Sequence, residues 1–155
     1  MIKLLDILEN KILVPRRSKE ERGKNYQIAL QKKIQQYMKG GGKGDLNLYG
    51  TPIKSLPPGL KVGGFLNLAN SKITSLPPGL KVGSHLDLSD TPITSLPSGL
   101  SVGGFLNLPF SEITSLPPDL KVRGGIFIYD TPLSELYTEE QIRQMVPGIK
   151  GYIHI

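Results

Sequence analysis

The sequence predicts an α/β repeat: a solenoid of five 20-residue coils with one parallel β-sheet and a proline-braced return side. A two-helix cap precedes the coils, and a C-terminal helix and final strand follow them. Three observations carry this. Apolar residues recur at a constant step of 20 from Asp45 onward. The 18 Gly and 13 Pro fall in register with that step, so they mark turns of an ordered coil rather than a disordered chain. The segments on either side abandon the step and carry helix-capping signals instead.

The step shows first in the triplets Leu46-Asn47-Leu48, Leu66-Asn67-Leu68, Leu86-Asp87-Leu88, Leu106-Asn107-Leu108 and Ile126-Phe127-Ile128. One further column runs Ile53, Ile73, Ile93, Ile113, Leu133, and another Leu56, Leu76, Leu96, Leu116, Leu136. Leu60, Leu80, Leu100 and Leu120 make a third, and Val62, Val82, Val102 and Val122 a fourth.

A single coil can be read physically. Leu66-Asn67-Leu68 alternates apolar and polar, which makes it a short strand with both leucines inward. Stacked coils place such strands side by side and parallel, about 4.8 Å apart. The return, Ser75-Leu76-Pro77-Pro78-Gly79-Leu80, holds two prolines that donate no hydrogen bond, so the expectation is a side without a ladder. Leu76, before a proline, is extended. Pro78-Gly79 fits a type II turn, with glycine where positive φ is needed.

The phrase Leu-x-Leu-x-x-(Thr/Ser)-x-Ile-x-Ser-Leu-Pro-x-Gly-Leu resembles the short bacterial class of leucine-rich repeats found in type III secreted effectors. It is closer still to repeat proteins encoded by large tailed phages and other viruses, which share the phrase Thr-Pro-Ile-x-Ser-Leu-Pro. The resemblance covers about residues 45–137 and implies a leucine-rich-repeat solenoid, but it does not specify a partner. One departure is that Thr51, Ser71, Thr91, Ser111 and Thr131 stand where the family has an inward Asn. A hydroxyl column is expected to bond turn groups of neighbouring coils. A second departure is that Gly63, Gly83 and Gly103 stand where a strand leucine is usual, which predicts a narrower coil.

A solenoid needs caps because its terminal coils expose core. Ser18-Lys19-Glu20-Glu21 is a capping box that opens a helix with Tyr26, Leu30, Ile34 and Tyr37/Met38 on one stripe, stopped by Gly40-Gly41-Gly42. A shorter apolar helix over roughly residues 2–13 precedes it. Thr138-Glu139-Glu140-Gln141 is a second capping box, for a helix running to about Val146. Gly151-Tyr152-Ile153-His154-Ile155 then repeats the pattern of Gly64-Phe65-Leu66-Asn67-Leu68, which predicts a sixth strand. The organisation read from this is a basic helical cap (1–43), repeats (44–137) and a C-terminal cap (138–155), as one folding unit.

Composition narrows the function classes. With no Cys, disulfides, thiolate nucleophiles and zinc–thiolate sites are excluded. No segment reads as a signal peptide or membrane span, so the expectation is a cytoplasmic protein, in the host cytoplasm if virus-encoded as the resemblance implies. Catalysis, a cofactor and a bound metal are not expected. His85 and His154 fall three strands apart, about 14 Å, too far for a shared metal or proton relay. Lys39-Gly40-Gly41-Gly42-Lys43-Gly44 lacks the Gly-Lys-Ser/Thr ending of a phosphate loop and precedes a strand rather than a helix. Asp87 and Asp90 have no recurring third ligand beside them.

The outward strand positions carry the functional expectation. Phe65, Phe105 and Phe127 are large apolar groups where a purely structural sheet favours Thr or Lys. Together with His85, Tyr129, Asn67, Asp87 and Asn107 they form the predicted surface for a protein partner. The rival reading rests on charge. Residues 1–43 hold 11 Lys/Arg against 4 Asp/Glu, while 44–155 hold 8 against 9. Arg16, Arg17, Arg22, Lys32 and Lys33 would then make weak, non-specific contact with nucleic acid. A self-assembling structural role is the third reading.

Overall fold

The protein is described from a computed structural model over residues 18–155. The expected helix over 2–13, with Arg16 and Arg17, lies outside the described residues. Among the described residues, 18–33 belong to one compact unit and 34–155 to a second.

Helix α1 spans Lys19–Lys39. It opens with the expected box: Ser18 N donates to Glu21 Oε2 (2.8 Å) and Glu21 N donates to Ser18 Oγ (3.1 Å). Leu30 and Ile34 are buried and Tyr37 is half-buried. Tyr26, expected on the same stripe, is 50% exposed. A phenol tolerates this because its hydroxyl stays in water. The helix ends through Gly41 and Gly42, at φ of 80° and 65°, conformations that other residues adopt only with strain. The Tyr37 hydroxyl reaches the carbonyl oxygens of Gly42 (2.8 Å) and Gly44 (2.7 Å), tying the last turn to the start of the first coil.

Within 34–155 the coils stack as a solenoid, with strands β1 (Leu46–Asn47), β2 (Lys61–Val62), β3 (Leu66–Asn67), β4 (Lys81–Val82), β5 (Leu86–Asp87), β6 (Ser101–Val102), β7 (Leu106–Asn107), β8 (Lys121–Val122) and β9 (Ile126–Phe127). Helices α2 (Pro132–Leu136) and α3 (Glu139–Met145) and strand β10 (Ile153–His154) complete it. The main sheet is parallel and six-stranded, ordered β1-β3-β5-β7-β9-β10, with the expected sixth strand pairing Ile153 to Ile126. Its inward residues, such as Leu66, Leu68, Leu86 and Leu88, are wholly buried.

The single-sheet expectation is corrected by a second parallel sheet, β2-β4-β6-β8, on the return side. Isolated parallel bridges also join Ser55 to Ser75 and Ser95 to Ser115. The prolines bar pairing only at their own positions. The residues just after them alternate outward Lys61 with inward Val62 and are free to form a ladder. Gly63, Gly83 and Gly103 are exposed in this second ladder, so they do not replace an inward leucine. They are small because a Cβ on Gly83 or Gly103 would collide with the carbonyl oxygen of the preceding coil's glycine.

The turn glycines Gly59, Gly79 and Gly99 have φ of 76°, 69° and 72°, as the type II turn requires. The hydroxyl column is buried, but it works within coils rather than between them. Thr51, Thr91, Ser111 and Thr131 donate to the carbonyls of Leu48, Leu88, Leu108 and Ile128 at 2.6–2.8 Å. Ser71 Oγ has no partner. The four bonded hydroxyls of this column turn back onto their own coil's carbonyls, and backbone bonds such as Lys72 N to Thr51 O link the coils at this corner instead.

The fifth coil departs at its return. Residues 132–136 form α2, capped by Thr131 with Ser134 in a reciprocal box, and Leu136 is 64% exposed instead of filling its column. Tyr137 and Thr138 stand where the first, second and fourth coils have a proline pair and the third has Pro97-Ser98, so the chain is free to turn helical. Thr138 and Gln141 then cap α3, whose buried Ile142, with Val146 and Ile149, closes this end of the core.

Candidate functional site

Parallel register sets the outward side chains of the main sheet in rows. The first row runs Asp45, Phe65, His85, Phe105, Gly125, Tyr152, and the second Asn47, Asn67, Asp87, Asn107, Phe127, His154. Beside them lie Tyr49, Ala69, Ser89, Pro109 and Tyr129, and then a corner column of Gly50, Asn70, Asp90, Phe110 and Asp130.

The predicted aromatic residues do come together. His85 stacks on Phe105 with centroids 5.0 Å apart and planes 5° apart, and meets Phe65 edge-on at 6.3 Å. Phe105 reaches Phe127 (6.0 Å) and Tyr152 (5.8 Å). Position 125 is glycine, and the Tyr152 ring lies over it, so this row stays filled where the fifth coil contributes no side chain. Phe127 contacts Tyr152 (5.5 Å) and His154 (5.8 Å), His154 contacts Tyr129 (5.7 Å), and Tyr129 contacts Phe110 (5.8 Å). Eight rings thus form one unbroken cluster across the face.

The acceptors among them serve the backbone first. Asp45 Oδ1 accepts from Phe65 N (2.7 Å) and His85 Nδ1 from Phe105 N (2.9 Å). Asn47, Asn67 and Asp87 each accept from the N–H two residues on, at Tyr49, Ala69 and Ser89. In the fourth coil that position is Pro109, which has no N–H, and Asn107 Oδ1 is buried without a partner.

Phe110 and Pro109 escape a reading of the sequence by its apolar columns. The signal lies in the corner column, where Gly50, Asn70, Asp90 and Asp130 suit the positive φ of 53–64° found there and Phe110, at 58°, does not. Phe110 is 59% exposed. A shallow depression of about 220 Å³ beside it is lined by Ser89, Asn107, Pro109, Phe127 and Tyr129. The face and its corner column carry Asp45, Asp87, Asp90 and Asp130 but no Lys or Arg, whereas Lys61, Lys81 and Lys121 are exposed on the second sheet.

The basic candidates are less concentrated. Arg22, Lys32 and Lys33 are exposed on α1, but Arg22 stands about 15 Å along the helix from Lys32. Among the described residues no group of three His, Asp or Glu side chains is placed to hold a metal ion. No helix among them is long and apolar enough to cross a membrane. No protein-family model matches the chain, nor does any curated protein or solved structure.

Proposed function

We propose that the protein is a non-catalytic binding module that holds a protein partner on the outward face of its six-stranded sheet. The observation that carries this is the unbroken cluster of eight rings on that face, with Tyr152 51% and Phe110 59% exposed. Aromatic groups supply large contact area at little conformational cost and dominate interface energies. Asn67, Asp87 and Asn107 set polar groups between them. The resemblance to phage and viral repeat proteins favours a virus-encoded module working in a host cytoplasm.

The test is the double substitution Phe65→Ser/Phe105→Ser, assayed by affinity capture from host lysate. Neither side chain points into the core, so the fold should persist while capture is lost. A double variant that folds normally and captures the same protein at wild-type strength would leave the rings as mere cover for the sheet.

A further inference from the structure

The fourth coil breaks two local rules that the first three coils keep. Phe110 places a bulky aromatic in the left-handed region, at φ 58°, where the neighbouring coils use Gly, Asn or Asp. Pro109, beside it, removes the N–H that elsewhere satisfies the acceptor two residues back, leaving Asn107 Oδ1 buried and unpaired. Core packing does not compensate, since Phe110 is 59% exposed and its ring contact is with Tyr129 on the same surface.

The surroundings indicate what the exposed ring meets. Asp90 and Asp130 occupy the same corner of the two adjacent coils, about 4.8 Å to either side of Phe110 by coil spacing. Both are exposed, and neither joins a salt bridge among the described residues. Among those residues no cationic side chain stands on this face to neutralise them. The depression over Asn107 and Pro109, about 220 Å³, is bounded by Tyr129, the ring that Phe110 meets edge-on.

We infer that this corner receives an arginine or lysine side chain from an extended, basic segment of the partner protein. The cation lies against the Phe110 ring between the Asp90 and Asp130 carboxylates, with its methylenes in the depression. An acidic segment or a phosphate backbone would meet two uncompensated carboxylates at the same place. The inference rests on the reading of this face as the binding face.

Calorimetric titration of the full chain tests it, with oligoarginine, oligoserine and oligoglutamate peptides of equal length as probes. Oligoarginine should bind and the other two should not. Phe110→Asn, which suits the corner backbone, and the pair Asp90→Asn/Asp130→Asn should each weaken oligoarginine about tenfold, and the acid pair should also flatten the salt dependence. Glu139→Gln/Glu140→Gln, on α3, should change nothing. Failure of oligoarginine to bind, or wild-type affinity in both corner variants, overturns the inference. If partner capture depends on Phe65 and Phe105 but not on Phe110, Asp90 and Asp130, the corner inference falls while the face stands. If capture is indifferent to both sets, both fall.

Discussion

The backbone N–H of Phe105 donates to Nδ1 of His85, 2.9 Å away, while the imidazole lies flat on the Phe105 ring at 5.0 Å. One side chain thus holds the next coil twice. In this geometry Nδ1 carries no proton and Nε2 bears it. Two coils earlier Asp45 does the same for the N–H of Phe65, so an acceptor and an aromatic alternate along the row.

His85→Ala should therefore cost about 1–3 kcal/mol in urea denaturation, the sum of a lost hydrogen bond and the lost stacking on Phe105. His85→Asp should cost less, because a carboxylate satisfies the equivalent N–H two coils away. If the Asp variant is as damaging as the Ala variant, the N–H bond contributes nothing and stacking is the whole effect.

The inward and outward assignment separates a second pair of variants. Leu86 is wholly buried, and Leu86→Ala should cost roughly 2–5 kcal/mol; Leu86→Asp should unfold the array. Asn67 accepts a bond from the Ala69 N–H, so Asn67→Ala should cost only about 0.5–1.5 kcal/mol. Equal losses for the two alanine variants in denaturant melts would contradict the stacking described.

The coil is legible in the sequence because burial repeats every 20 residues and a strand triplet shows its inward face directly. The terminal strand is legible for the same reason, since Ile153 sits in the same pattern as Leu66. The second sheet is hidden because Pro77-Pro78 reads as a bar to pairing, although Lys81-Val82 pairs immediately after it. Leu136 matches its column by spacing alone, while the loss of the proline pair lets residues 132–136 coil. Phe110 is hidden because the apolar columns report burial, whereas the constraint on the corner column is on φ. A residue can match the repeat in position and still contradict its backbone.

Tyr37 gives the helix-to-coil joint a pH dependence. Burial, opposed by the Gly63 backbone hydrogen bond and reinforced by the nearby Asp45 carboxylate, raises its phenol above the ordinary 10.0. The folded state then holds the proton more tightly than the unfolded chain does. The stability this contributes is complete below pH 10.0 and is lost as pH rises through the higher folded value. Urea midpoints measured from neutral pH into this alkaline range should fall more steeply for the wild type than for Tyr37→Phe. At neutral pH Tyr37→Phe should itself cost about 1 kcal/mol, since its bonds to Gly42 and Gly44 are gone. Parallel profiles for the two proteins would show that the phenol does not drive the pH dependence.

The fourth-coil corner should be a place where the protein can be made more stable. A bulky residue in the left-handed region costs of order 1–3 kcal/mol, whereas an edge-to-face ring pair such as Phe110 with Tyr129 contributes about 0.5–1.5 kcal/mol. Phe110→Asn relieves the backbone strain and gives up the weaker ring contact, so a net gain of about 1 kcal/mol is expected in urea denaturation. Pro109→Ala copies Ala69 of the second coil and returns an N–H to the buried Asn107 Oδ1, which should add roughly another 1 kcal/mol. Proline also restricts the unfolded chain, and its removal gives back some of that gain, about 0.4–1 kcal/mol. The two residues are adjacent, so their effects need not add, and the double variant should be measured as a cycle. If Phe110→Asn instead destabilises the fold, the exposed ring is held by packing that outweighs its backbone strain, and the corner loses its claim to be strained for binding.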